Sequence, residues 1–320
     1  MHLAPEAILG AADVSVMVLW ETMTTIRSAL ETFILDSKAR QCTAPTLEHY
    51  QSRIGGFDRW FADHDATARG VLAAVTHTHI RIYLAHLFDR GLSSATVHTH
   101  GRALRAFLNF CTREGLLAAS PFAKVRIGRP DRLEKLPYIQ ADIDKLLAIA
   151  DLRDTAIVLT LLDTGMRASE FIALNVSDLG KRRLHIRKGK GRKARTVLLG
   201  ERSAAAMAAY LAERGTLPPM APLFASKTNR NKEGRLTRSG LRRVLVLLGD
   251  AAGVVGIHPH GMRRTFAVWS LRNGMDIFHL QRLMGHEDIE TLRGYLGLVD
   301  DDLRRAHAKY GPVDHAPPDD

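Results

Sequence analysis

The residue types best suited to chemistry lie in the second half of the chain, in five short motifs. In Leu162-Asp-Thr-Gly-Met-Arg-Ala-Ser-Glu-Phe-Ile172 a helix stops at Gly165 and Arg167 opens the next. Backbone N–H groups and a guanidinium then point the same way, which suits an anion. From Lys181 to Arg195, nine of fifteen residues are Lys or Arg. Leu184 and Ile186 before the turn, and Val197 and Leu199 after it, alternate as strands do, so the run forms the tip of a β-hairpin. Glycines on both sides of Lys190 let its ammonium approach a phosphate closely. In His258-Pro-His-Gly-Met-Arg-Arg-Thr-Phe266, His260 and Arg263 are three apart and share a face on one helical turn. Gly285 breaks a helix just before His286, and Tyr295 follows nine residues later. Taken singly, each has an ordinary reading: a surface arginine, a solvated charge run, a core histidine, a packing tyrosine.

The elements that must carry these residues are mostly helices. Gln140–Ala150, Asp154–Asp163, Thr237–Ala252, Met262–Asn273, Ile277–Met284 and Glu290–Leu296 read as helices, and Arg183–Ile186 and Arg195–Leu199 as strands. The first part of the chain is also helical. Phe33, Ile34 and Ser37 have helical spacing, as do Tyr50, Ile54, Phe57 and Phe61. Two further helices follow, from about Thr78 to Arg90 and from Ser94 to Gly115. Their polar faces carry Arg53, Arg81, His100, Arg102 and Arg105. Between the halves, Ile127–Pro137 holds two prolines and a glycine with no helical period, so it is a linker. The expected organisation is an N-terminal tail (1–22), a helical domain (23–127), a linker (128–137), a second domain (138–300) and a tail helix (301–320). The fold class is mainly α with a small β-sheet or hairpin in the second domain.

Composition narrows the partners. Lys and Arg outnumber Asp and Glu by 45 to 34 in 320 residues, leaving a net charge of +11. That excess favours a polyanion, nucleic acid being the commonest. Cys42 and Cys111 are the only cysteines and lack metal-ligand spacing, which argues against a disulfide scaffold and a zinc site and fits a reducing cytoplasm. No apolar run approaches the roughly 20 residues that span a bilayer.

Arg167, the Gly-Lys-Gly turn, His-x-x-Arg, Leu-Met-Gly-His and a tyrosine nine residues later occur here in that order. In this the chain resembles the tyrosine recombinase, or phage integrase, family, over residues of about 25 to 310. The resemblance implies a two-domain DNA clamp, with a helical, SAM-like core-binding domain ahead of the catalytic domain. It implies that Arg167 and Arg263 clamp a phosphate, that Lys190 is the hairpin lysine, that His260 and His286 are the two site histidines, and that Tyr295 is the nucleophile. Arg264 stands where the family commonly has His. Candidate DNA contacts are Arg53, Arg81, His100, Arg102 and Arg105, the hairpin residues Lys188, Arg192 and Lys193, and Arg238, Arg242 and Arg243.

The implied chemistry suits these residue types. Attack on a phosphodiester builds charge on its non-bridging oxygens, which two arginine forks neutralise as no lysine would. A tyrosine with a pKa near 10 needs cationic neighbours and a base such as His260 to lose its proton. Lys190 can protonate the leaving 5′-oxygen, and His286 can hydrogen-bond a phosphate oxygen. Neither metal nor cofactor is expected, and the phosphotyrosine conserves the bond energy for rejoining. The implied partners are double-stranded DNA with specific sites and a homotetramer on two synapsed sites, monomeric or weakly associated without DNA, with no membrane role. A type IB topoisomerase and a non-catalytic DNA-binding protein on the same fold are the alternatives.

Overall fold

The computed structural model describes residues 24–66, 68, 70–131, 136–187, 194–227, 234–285 and 308. The chain divides into two compact units, residues 1–133 and 134–320.

The described residues of the first unit form four α-helices: α1 (Ile26–Ala39), α2 (Ala44–His64), α3 (His77–Asp89) and α4 (Ser94–Arg113). Thr25, Thr76 and Ser93 cap three of them, each side-chain oxygen accepting a backbone N–H of the first turn. The apolar stripes meet in an aromatic core. Phe33 lies edge-on to Phe107 with ring centres 5.8 Å apart, and Phe57 to Tyr83 at 5.1 Å. Cys111 is buried in this core as a free thiol.

The periodicity places His100 on the solvent face of α4, and this is corrected. Its ring is only 6% exposed. Nδ1 is 3.0 Å from the Tyr83 hydroxyl and Nε2 is 3.0 Å from the Arg53 guanidinium. With a hydrogen-bonding group on each nitrogen, the imidazole fits a helix–helix seam that apolar residues would otherwise fill.

In the second unit, α5 (Gln140–Ile149), α6 (Leu152–Thr164), α7 (Ala168–Ala173), α8 (Glu201–Arg214), α9 (Arg238–Ala252), α10 (Pro259–Arg272) and α11 (Ile277–Met284) surround a small sheet. Strands β1 (Leu179–Gly180), β2 (Arg183–Ile186) and β3 (Arg195–Leu198) are antiparallel in the order β1-β2-β3. Arg183 pairs with Leu198 and Ile186 with Arg195, so Leu184, Ile186 and Val197 face the core. Helix α6 is central: Ile157, Val158 and Leu161 are buried, and it packs on both α8 and α10.

Beyond shifts of one or two residues at helix ends, the structure differs from the sequence reading at these places. Helix α8 has no counterpart in it; Ser203, Met207 and Tyr210 are buried, and Ala204, Ala206 and Leu211 pack against the core beside them. Helix α10 begins at Pro259 and not Met262, since His258 caps it. Strand β3 ends at Leu198, and the Leu199 N–H bonds the Arg182 carbonyl instead. The expected helix Glu290–Leu296 lies outside the described residues, as does the tail helix apart from Ala308, which is helical.

Candidate active site

The site grows from the C-terminal ends of two helices. Helices α6 and α11 both terminate on glycines in the left-handed conformation, Gly165 at φ 56° and Gly285 at φ 61°. A β-carbon on Gly165 would lie 2.1 Å from the Phe266 ring, so glycine is required there for space as well as for backbone angle. Such ends leave carbonyls without helical partners, at the negative pole of the helix dipole. Three arginines take these carbonyls.

Arg263, in the second turn of α10 and 4% exposed, donates to the Gly165 carbonyl and, at 2.9 Å, to that of Met284. Arg167, the N-cap of α7, donates from Nη2 to the Gly285 carbonyl at 3.3 Å. Arg195, the first residue of β3, donates from Nε to the Leu283 carbonyl at 3.1 Å. Guanidinium groups of residues far apart in sequence therefore sit on three consecutive carbonyls at the end of α11.

One buried carboxylate organises this cluster. Glu170, at the third position of α7, accepts the Arg167 backbone N–H at 2.8 Å, the carboxylate half of a capping box. Arg195 binds it with both terminal nitrogens at 2.8 Å each, while Arg167 reaches one oxygen at 3.2 Å. Burial pushes the Glu170 carboxyl up, but the hydrogen bonds from Arg195 and the Arg167 backbone, with both guanidinium charges, outweigh it. The group stays ionised below the usual carboxylate range. Three arginines against one carboxylate leave a net positive cluster, which suits a phosphate.

The start of α10 is held separately. His258 Nδ1 accepts the Gly261 N–H at 2.8 Å, so this histidine is a helix cap. The Tyr138 hydroxyl donates to the Gly256 carbonyl at 3.0 Å and accepts the His258 N–H at 3.1 Å. His260 is exposed on the same turn where Arg263 turns inward, so the two do not share one environment. Arg264 is buried and gives two hydrogen bonds, at 3.1 and 2.9 Å, to the Leu136 carbonyl. The departure at this position thus has a structural role, tying down the chain that enters the second unit.

Of the six predicted catalytic residues, the structure brings Arg167 and Arg263 together and shows His260 on the helix that carries Arg263. Lys190, His286 and Tyr295 lie outside the described residues, as do Lys188, Arg192 and Lys193. Glu170 and Arg195 were missed. A glutamate three residues after the helix-opening Arg167, where it can reach back to a backbone N–H, was a signal for the first, whereas Arg195 was lost among the other basic residues of its run.

Among the expected DNA contacts, Arg81, Arg102, Arg105, Arg238, Arg242 and Arg243 are exposed, the last three along α9. Arg81 donates to the Lys124 carbonyl at 2.8 Å, and the Arg105 guanidinium lies 5.0 Å from the centre of the Phe122 ring. Arg53 is half-buried against His100. His100 itself is no cation: burial, then Arg53 and His49, lower its pKa to about 4. A neutral, buried ring cannot serve as the phosphate contact expected at this position. Among the described residues, no helix is long and apolar enough to cross a membrane.

Comparisons with known proteins show the family and the fold. The model of the phage integrase family matches residues 138–301, and that of the phage integrase N-terminal SAM-like domain matches residues 30–115. The tyrosine recombinase XerD of Oceanobacillus iheyensis is 34% identical over 284 residues, covering 83% of this chain and 92% of its own. XerC of the same organism is 29% identical, covering 91% and 98%. A lambda integrase dimer bound to a COC′ core site shares the fold with a TM-score of 0.70 at 17% identity, over 89% of this chain and 81% of that one. The Tn1549 transposon integrase in complex with circular intermediate DNA does so at 0.68 and 20%, over 85% and 95%.

The chain belongs to the phage integrase family. It is a tyrosine site-specific recombinase, an enzyme of DNA strand breakage and rejoining, and the topoisomerase and non-catalytic alternatives are set aside.

Proposed function

We propose that Tyr295 attacks the scissile phosphate and becomes joined to the DNA 3′-phosphate, with Arg167 and Arg263 clamping the non-bridging oxygens. The phenolic oxygen forms a bond to phosphorus as the bond to the 5′-oxygen breaks. The phenol proton passes to His260, and Lys190 protonates the departing 5′-oxygen. His286 hydrogen-bonds the phosphate. The observation that carries this reading is the pair of guanidinium groups on the Met284 and Gly285 carbonyls, Gly285 standing one residue before His286 and ten before Tyr295.

In this reading the substrate is double-stranded DNA with a specific site. A helical domain of residues 23–127 and a catalytic domain of 138–300 close on it from either side of the 128–137 linker. Arg53, Arg81, Arg102, Arg105, the hairpin bases and Arg238, Arg242 and Arg243 supply phosphate contacts. Four copies act on two synapsed sites through a Holliday junction, in the cytoplasm, and residues 301–320 dock on a neighbouring copy.

The test is a nicked suicide substrate, in which the leaving strand diffuses away and the covalent protein–DNA adduct accumulates. The native protein should give a denaturant-resistant adduct, and Tyr295→Phe none, with DNA binding nearly unchanged. An adduct formed by the Phe variant would remove Tyr295 from the mechanism.

A further inference from the structure

Glu170 poses a problem for a phosphate clamp. It is a carboxylate with 3% of its side chain exposed, within 3.2 Å of Arg167. A buried carboxylate next to a guanidinium seeks a bidentate pair, the strongest geometry open to both groups. If Arg167 formed that pair, its fork would face Glu170 and not the DNA.

Arg195 prevents this. It occupies both oxygens of Glu170 at 2.8 Å, leaving Arg167 a single longer contact to Oε1. Exposure follows the same order: 14% of the Arg195 side chain is exposed against 24% of Arg167. The Arg195 guanidinium also lies over Gly285, where an added β-carbon would come within 2.8 Å of its Nη1. Its Nε bond to the Leu283 carbonyl fixes the fork in that position. One arginine thus neutralises the carboxylate and braces the residue whose carbonyl Arg167 holds.

We propose that Arg195 is a positioning residue for strand cleavage, which saturates Glu170 so that the Arg167 fork stays turned toward the scissile phosphate. The proposal rests on the phosphate-clamp reading given above. In Arg195→Met, Glu170 draws Arg167 inward, and cleavage falls by roughly 10²-fold, as on loss of one oxyanion donor. Removing the attracting charge then restores Arg167: in Arg195→Met with Glu170→Gln, the amide oxygen still caps the Arg167 N–H but no longer recruits its guanidinium.

Single-turnover cleavage is measured on the suicide substrate and on one carrying a methylphosphonate at the scissile position. That linkage is neutral and makes little demand on a cationic clamp. The expected result is that the double variant cleaves the phosphodiester faster than Arg195→Met alone. The deficit of Arg195→Met should also shrink to less than about 10-fold on the methylphosphonate, because the clamp's charge is no longer needed there.

A double variant slower than the single one, or an equal deficit on both substrates, overturns the proposal and leaves the clamp reading standing. No adduct from the native protein on either substrate would overturn both. Should Arg195→Met fail to fold, Arg195→Lys keeps a charge without the fork. The same comparison with and without Glu170→Gln then decides, with the same sign expected.

Discussion

Lowering the pH from 7.5 to 5.0 should loosen the first unit through the buried ring of His100. An imidazole free in the unfolded chain has a pKa of 6.5, and burial, with Arg53 and His49 nearby, brings it to about 4 in the folded protein. Because the folded value is depressed, the unfolded chain binds the extra proton as pH falls through 6.5, and stability is lost toward pH 4. At pH 7.5 neither state is protonated and the effect is nil. At pH 5.0 the unfolded ring is nearly all charged and the folded ring nearly all neutral. The difference is then about 2 kcal/mol, approaching a ceiling of about 3 below pH 4. For a domain of ordinary stability that is a sizeable fraction. Hydrogen exchange of the α3 and α4 amides, followed by mass spectrometry on the full chain, reads it locally. His49 shifts in the same direction, from burial first and then Arg53 and Arg102, so the native slope contains both rings. The contribution of His100 is the difference from His100→Gln, whose amide can still bond Tyr83 or Arg53. A His100→Gln variant that lost as much protection between pH 7.5 and 5.0 as the native protein would refute the reasoning.

Three further outcomes follow from the geometry. Gly165→Ala should cost about 2–4 kcal/mol in the urea unfolding of the second unit, from the left-handed backbone and the Phe266 clash together; a loss below 1 would mean the Phe266 ring yields freely. Arg264→Met removes both hydrogen bonds to the Leu136 carbonyl, worth about 1–2 kcal/mol, and should speed trypsin cleavage after Lys135 several-fold in the native protein. Deleting residues 301–320 should leave binding to one DNA site intact and impair recombination between two sites, as scored by synapsis on a gel.

Much of the fold was legible because its signals are local. Alternation at Leu184, Ile186 and Val197 marks the strands, and Gly165 followed by Arg167 marks a helix end and the next start. What escaped was decided by partners remote in sequence. Nothing near His100 says that Tyr83 and Arg53 will close over it, and a histidine among polar residues reads as solvent-facing. In the basic run, Arg195 is one charge among nine until the fold brings Glu170 and the end of α11 to it. The motif order picked out Arg167 and Arg263, while the pairing of Glu170 with Arg195 is visible only in the folded structure.

The carbonyls at the end of α11 also set when the arginine cluster can exist. Arg263 bonds a carbonyl 98 residues before it, and Arg167 one that is 118 residues after it. While the chain is being made, Arg167 leaves the ribosome long before Leu283, Met284 and Gly285, and an unfinished polypeptide has no carbonyls to aim its guanidinium groups. Contacts of such long range form late and slowly. A basic nascent chain can therefore bind nucleic acid by charge alone, but its arginine cluster is assembled only after the end of α11 has been made.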